Sequence, residues 1–350
     1  TLVMAERPVE FPRPTRLHHR GEFLQPAEVV VADVPSLFGR LGKFDRRDRL
    51  RFAQWLVEPA NPLTARVTVN RHWATLFGKG LVRTTEDFGY QGELPSHPEL
   101  LDWLAVEFVE RGWSIKDLHR AIVTCRTDQQ SSVASADALA KAPTNRLLTH
   151  GPRVRLEAEQ IRDLFLAVSG LLTENLGGPS VFPPQPRGVT SEGAYGPLDW
   201  NVSKGGDQYR RSLYTFAKRT APYAMFTTFD AGSGEACLAR REISNTPLQS
   251  LTLLNDTLTL DTARSLGAML VRQAGSTEEK IDQLYRLCLG RPPQADEKDA
   301  INKFLDLQRL RLNAIPGATE RIGTSNQVDQ SLWTLAARAL LNLDETITKE

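Results

Sequence analysis

Residues 61–108 constrain the chain more than any other stretch: NPLTARVTVNRHWATLFGKGLVRTTEDFGYQGELPSHPELLDWLAVEF. Asn61-Pro62 reads as a helix start, because an Asn side chain accepts the first free backbone N–H groups and Pro at the first position forfeits no bond. Leu63, Val67, Trp73, Leu76 and Phe77 then recur at helical spacing. Gly78 and Gly80 end that helix. A loop with Gly89 and Gly92 follows. Ser96 is expected to open a second helix, with Pro98 in its first turn and Glu99 completing a capping box. Leu100, Leu101, Leu104 and Phe108 form its apolar stripe. The stretch therefore predicts two helices folded about a glycine-punctuated loop.

Its polar residues admit two readings. Arg66, Asn70 and Arg71 on the first helix, Asp87 and Gln91 on the loop, and His97 and Asp102 on the second helix could line a cleft where the elements converge. Alternatively the arginines run along a helix surface and His97 caps a helix end.

Beyond this stretch the pattern stays helical. Residues 46–57, RRDRLRFAQWLV, predict a basic helix, and Ser114 with Asp117 starts another. Residues 131–145 read as a loop or linker. A long amphipathic helix runs towards Leu172, where Arg155, Glu159, Arg162 and Asp163 fit an ion-paired surface or, more sharply, a buried carboxylate. Residues 177–206 are irregular and rich in Gly and Pro, with Tyr195 and Trp200 as aromatics. A loop this long is functional or mobile. Residues 210–216 suit a short strand or a helix start. Behind Asn245-Thr246-Pro247 a long helix carries Leu248, Leu251, Leu254, Leu258, Leu266 and Leu270. Asn255 and Asp256 within it either bend it or bond something specific. Further helices are expected after Ser276, over 296–313 and over 331–343, with a polar loop at 314–327.

Composition narrows the function classes. Of 350 residues, 41% are hydrophobic and 24% charged, and the net charge is +1. That balance gives no electrostatic case for nucleic acid, and no apolar run is long enough for a membrane span. The opening TLVMAERPVEF lacks a signal-peptide pattern, and its missing initiator Met suggests a fragment or processed product. Cys125, Cys237 and Cys288 are too scattered for a disulfide framework or zinc site. Cys237 lies in FDAGSGEACLARRE with Arg240 and Arg241 close behind, a setting that could activate it; a structural thiol is the alternative. No C-x-x-C-H motif occurs, so no haem is expected on this chain. Phosphate-loop, dinucleotide, zincin and nucleophile-elbow motifs are absent.

Several segments together resemble a known family. NPLTARVTVNRHW, FGKGLVRTTEDFG and PSHPELLDWLA are similar to the planctomycete PSD-one domain, a domain-of-unknown-function family (number fifteen fifty-three). The similarity continues through GWSIKDLHRAIVT, RLEAEQIRDLFLAVSGLL, GGPSVFPPQP, YRRSLYTFAKRTAP, NTPLQSLTLLND and LLNLDETITKE, and so spans nearly the whole chain. Two positions depart from the pattern: Asp128-Gln129 replaces an expected Tyr-Arg, and Gly234 an expected Arg. The resemblance implies a periplasmic or secreted protein whose parent carries a c-type haem domain upstream. It brings no activity.

The expected fold is mainly α, a multi-helical body with long Gly/Pro-rich loops and at most a small β-hairpin. Residues 1–44 are expected to wrap as an extended segment, 45–240 to form a helical domain and 241–350 a C-terminal bundle, with one continuous body as the alternative. Three functional classes stay open: a substrate-presenting or redox-linked domain in polysaccharide breakdown, a carbohydrate-binding module, and a structural assembly domain. Catalytic candidates are Asp87, His97 and Asp230. Binding candidates are Arg219, Arg241, Tyr195 and Trp200, placed where the loop of the first third meets the FDAGSGEAC loop. No metal site is expected. The expected partners are a polysaccharide ligand and an upstream haem domain.

Overall fold

In the computed structural model, residues 3–349 are described except 9, 12, 39–40, 42–46, 187–199, 220 and 325–326. The described residues form thirteen α-helices and two small two-stranded antiparallel sheets. The mainly α expectation holds, with one small sheet more than expected. The chain divides into two compact units, residues 1–130 with 134–149 and residues 131–133 with 150–350.

The first unit opens with strands β1 (Thr15–His18) and β2 (Pro26–Val30), paired antiparallel with Thr15 opposite Val30. Helices α1 (Arg49–Leu56), α2 (Thr64–Phe77), α3 (Pro98–Glu110), α4 (Ile115–Val123) and α5 (Ala136–Lys141) follow. Arg49 pairs with Glu6 at 2.6 Å and Arg47 with Asp33 at 2.8 Å, which ties the N-terminal segment down beside α1. Helix α2 begins at Thr64 with Leu63 in the cap position, two residues later than Asn61-Pro62 suggests, though the Asn61 Oδ1 still accepts the N–H groups of Leu63 and Thr64. Gly78 ends it at φ +73°, a left-handed turn that a residue without Cβ makes at least cost. The core of this unit joins Val69, Trp73 and Phe77 of α2, Leu101, Leu104 and Phe108 of α3, and Leu118 and Ile122 of α4. Trp73 and Phe77 stack with ring centroids 4.1 Å apart.

Two further local expectations in this unit need correction. Ser96 does not cap α3. The cap position is His97, Pro98 stands in the first turn, and the Ser96 N–H is drawn instead to the Leu81 carbonyl at 2.8 Å. The stretch read as linker contains α5, because Ser135 caps it by accepting the Ala138 N–H.

The second unit contains β3 (Val154–Arg155), α6 (Ala158–Val168), α7 (Ala224–Thr228), α8 (Pro247–Asn255), α9 (Thr257–Arg272), α10 (Thr277–Leu289), α11 (Ala295–Ala314), α12 (Ala318–Ile322), α13 (Val328–Leu341) and β4 (Thr348–Lys349). Strand β4 pairs with β3, and Leu156 N–H donates to Ile347 O, so the two ends of this unit close on each other. Helix α9 packs closely on α13. Small buried residues on α9 (Thr262, Ala263, Gly267) and on α13 (Ala336, Ala337) permit the approach. A Cβ on Gly267 would lie 2.4 Å from Thr334 Oγ1.

The long helix expected behind residue 247 is two helices. Asp256, at ψ 144°, leaves the helical region, and its carboxylate accepts the Leu258 N–H to start α9. Burial raises its pKa above the ordinary carboxylate value. Residues 212–214 form a 3-10 turn rather than a strand, and α12 lies within the expected 314–327 loop.

Candidate functional site

The segment 81–96 between α2 and α3 is irregular in backbone yet held at nearly every turn. Asn70 of α2 is completely buried, and its amide grips Val82 twice, donating to the carbonyl at 2.9 Å and accepting the N–H at 2.8 Å. Gly80 is required beneath it, since a Cβ there would lie 2.4 Å from Val82 O and 2.6 Å from the Asn70 amide. Thr84 Oγ1 donates to Asp87 O at 2.8 Å and accepts the Glu93 N–H at 3.0 Å, drawing the two limbs together. Asp87 accepts the Gly89 N–H at 2.6 Å, folding its own turn. Gly92 sits so close to that turn that a Cβ would meet Asp87 O at 2.2 Å. From outside, Arg146 donates to Leu94 O and pairs with Glu93, while Arg83 donates to Thr144 Oγ1 at 2.9 Å.

What this framework holds out is Tyr90. Its side chain is fully exposed, flanked by Gly89 and by Gln91-Gly92, with Leu94 81% exposed on the returning limb. The ring itself buries nothing, while the hydrogen bonds beneath it order the backbone that carries it.

The sequence candidates of this unit belong to the framework. Asp87 orders the turn, and His97 Nδ1 lies 3.0 Å from Ser96 Oγ at the loop exit. Asn70 lines no cleft, because its amide is spent on Val82. Arg66 ties α2 to Asp102 of α3 at 2.6 Å. Tyr90 itself drew no attention in the sequence, where only the glycines on either side signal an exposed turn.

In the second unit a polar knot joins α6, α7, α8 and the loop 231–243. Asp230 follows α7 at φ +61°, a conformation that Asp tolerates at a helix end. Its carboxylate accepts the Ser244 N–H and hydroxyl at 2.8 Å each, and Gln249 Nε2 at 3.4 Å. Gln249 is buried, donates also to Thr228 O, and accepts from Arg155 at 3.1 Å. Arg241 grips both oxygens of Glu159 at 2.6 and 3.0 Å, and that bond holds its guanidinium above the ordinary arginine range. These contacts pinch the base of the loop that carries Cys237, which is exposed. Arg219 is exposed and lies against Gly234, whose φ of +75° favours glycine.

The ion-paired surface expected along α6 forms in part: Arg162 approaches Asp163 at 3.8 Å, and Glu159 and Asp163 also meet arginines from outside the helix. Arg155 reaches Gln249, Glu159 reaches Arg241, and Asp163 accepts the Ser212 N–H at 2.7 Å. Arg162 is completely buried and donates to Arg210 O and Gln208 O at 2.7 and 2.9 Å. Burial lowers its pKa from the ordinary arginine value. Arg210 in turn donates to the carbonyls of Pro179, Asn175 and Gly177. Two arginines thus carry the backbone of the irregular segment.

Trp200 belongs to that support. Its ring stacks on Tyr223 at 6.0 Å and meets Phe182 edge-on at 5.2 Å, and its indole N–H donates to Pro183 O at 2.7 Å. Half-buried and bonded, its ring packs within the segment. Tyr195 lies outside the described residues. An open groove of about 550 Å³ beside α6 is lined by Asp163, Leu164, Leu172, Glu174, Leu176 and Arg211. Its Asp163 is already engaged with Ser212. Among the described residues no three of His, Cys, Asp or Glu come together as metal ligands.

Of the sequence candidates, the structure joins Asp87 and His97 in one loop framework of the first unit. It places Asp230 and Arg241 in one polar knot of the second.

A family model described as PSD1, protein of unknown function (DUF1553), matches residues 48–305. Neither the curated proteins nor the solved structures give a match.

Proposed function

The chain belongs to the PSD1 family of proteins of unknown function, and from its own geometry we propose that it is a non-catalytic binding domain whose recognition element is Tyr90 on the loop 81–96. The observation that carries this reading is the contrast between the loop's interior and its tip. A fully buried amide and two glycines with no room for a side chain hold one fully exposed aromatic ring. Such a loop has little ordering entropy left to lose when it binds, which is how preorganised loops gain affinity.

The ligand class we favour is polysaccharide. A tyrosine ring with glycines close on either side leaves its faces open to a flat partner, and the neighbouring Gln91 amide and Glu93 carboxylate can bond hydroxyls. The apolar surface at the tip is confined to Tyr90 and Leu94, small for a protein interface of standard size. This reading accords with the extracytoplasmic setting, and the haem-bearing neighbour in the same polypeptide, that the family resemblance implies.

The test is a thermal-shift screen against neutral, uronic and sulfated oligosaccharides, followed by calorimetry on any hit. Tyr90→Ala is expected to cost about 2 kcal/mol of binding, roughly thirtyfold in affinity, with melting unchanged. Full affinity in Tyr90→Ala would remove Tyr90 from the site. Silence across the glycan panel, with Tyr90-dependent capture of a purified protein, would replace the ligand class.

A further inference from the structure

The contact between α2 and α4 holds a histidine pair that the binding reading does not use. His72 Nδ1 and His119 Nε2 are 2.9 Å apart, with ring centroids at 4.8 Å and planes inclined at 67°. Both rings are half-buried at the margin of the unit's core, His72 three residues beyond buried Val69 and His119 three before buried Ile122. At this distance one nitrogen must carry a hydrogen and the other a lone pair. A neutral pair satisfies that. So does a pair with one added proton, since an imidazolium donates well to an imidazole. With two added protons both facing nitrogens carry hydrogen, no acceptor remains, and two cations meet at contact distance.

We propose that His72 and His119 form a proton-operated latch between α2 and α4, closed while the pair carries at most one charge and opened when both rings are protonated.

The surroundings reinforce this behaviour. The nearby charged groups on α2 and α4 are Arg71, Lys116, Asp117 and Arg120. Those on α3, which packs on both helices, are Glu99, Asp102, Glu107 and Glu110. Three of these acids each have an arginine partner of their own: Asp102 with Arg66, Asp117 with Arg120 and Glu107 with Arg111. Burial first, and the His119 charge second, hold His72 below the ordinary histidine value. The sign follows. A folded-state pKa below the unfolded one means that the stability contributed is whole above about pH 6.5 and is lost as pH falls through the folded value.

Helix α4 leads into residues 124–149, and Thr144 and Arg146 of that segment brace the Tyr90 loop. Opening the latch would loosen one of the loop's supports in acid. This last step rests on the binding reading; the latch itself does not.

The test compares thermal melting of the unaltered chain and His119→Gln between pH 7.5 and pH 5. Glutamine can still bond His72 but takes up no proton. The unaltered chain should lose several degrees more than the variant on acidification. An equal loss in both overturns the latch. Should His119→Gln fail to fold, imidazole nitrogen resonances of the unaltered chain decide. Two protonation steps, with a broken pair only after the second, support the proposal; two rings titrating independently overturn it. Neither readout involves a glycan, so the latch and the binding reading can fail separately.

Discussion

Asn70→Asp tests the loop framework with the smallest available change. The substitution keeps the shape of the side chain and one of its two bonds, Val82 N–H to Oδ1. It replaces the donor at 2.9 Å from Val82 O by an oxygen. With Asn70 fully buried and Val82 3% exposed, water cannot take over. Two outcomes are open to the new carboxyl. Ionised, it sets two acceptors against each other inside a core, a cost of several kcal/mol. Protonated, its O–H restores the missing donor, and the cost is that of holding a proton against the solvent. At pH 7, with an unfolded pKa of about 3.9, that is about 3 pH units at about 1.4 kcal/mol each, a ceiling near 4 kcal/mol. The sign is opposite to that of a salt-bridged aspartate. The folded pKa is raised, so stability is whole below the unfolded pKa and falls as pH rises towards the folded one. The penalty relative to the unaltered chain should therefore shrink by about 1.4 kcal/mol per pH unit between pH 7 and pH 5. His72 titrates in both proteins and lies two residues along α2, on a different face, so it drops out of the difference. Hydrogen exchange of α2 and α3 amides in graded urea would measure it for this unit alone. A penalty independent of pH, or one under about 1 kcal/mol at pH 7, would refute the account of Asn70 as the loop's buried clamp.

Other consequences follow for the second unit. Gly267→Ala should destabilise it by about 1–2 kcal/mol despite alanine's better helix propensity, because the methyl meets Thr334 in a closed α9–α13 contact; a more stable variant by denaturant unfolding would show that the helices can separate freely. Alkylation of the folded protein at pH 8 should mark exposed Cys237 and spare buried Cys288, whose thiol burial pushes up to about 12. Peptide mapping that finds Cys288 labelled first would contradict the packing of α10.

The helices were readable because their signals are local. Ser114 and Ser276 mark their own termini, Asn61-Pro62 comes within two residues of one, and apolar spacing marks the buried faces. The misreadings arise where a local signal had a competing partner. Ser96 looks like a cap for α3, yet the helix is entered one residue later at His97, with Ser96 Oγ 3.0 Å from His97 Nδ1 and the Ser96 N–H bonded to Leu81 across the loop. Asp256 is an unusual residue for a helix interior. Whether it bends one helix or starts another depends on the single Leu258 bond, which no spacing reveals. Arg162 sits on an amphipathic helix beside acidic neighbours, the pattern of a solvated ion pair. It became buried because Gln208 and Arg210, more than forty residues away, offer carbonyls in a place that water does not reach.

The candidate site was less legible for the same reason. His72 and His119 are 47 residues apart, and their bond exists only once α2 and α4 are packed. Tyr90 is an ordinary loop residue until the buried Asn70 clamp and the Gly92 turn are seen beneath it. The polar groups that the sequence does advertise, Asp87, Asp230, Glu159 and Arg241, are used in construction. A general base must keep a lone pair within reach of its substrate, whereas Asp230 already takes three donors from its own unit. In both units the conspicuous charges hold loops, and among the described residues the fully exposed ring of Tyr90 sits on a loop held from beneath by Asn70, Thr84 and Asp87. A binding domain, whose chemistry lies at its tip, would be built in this way.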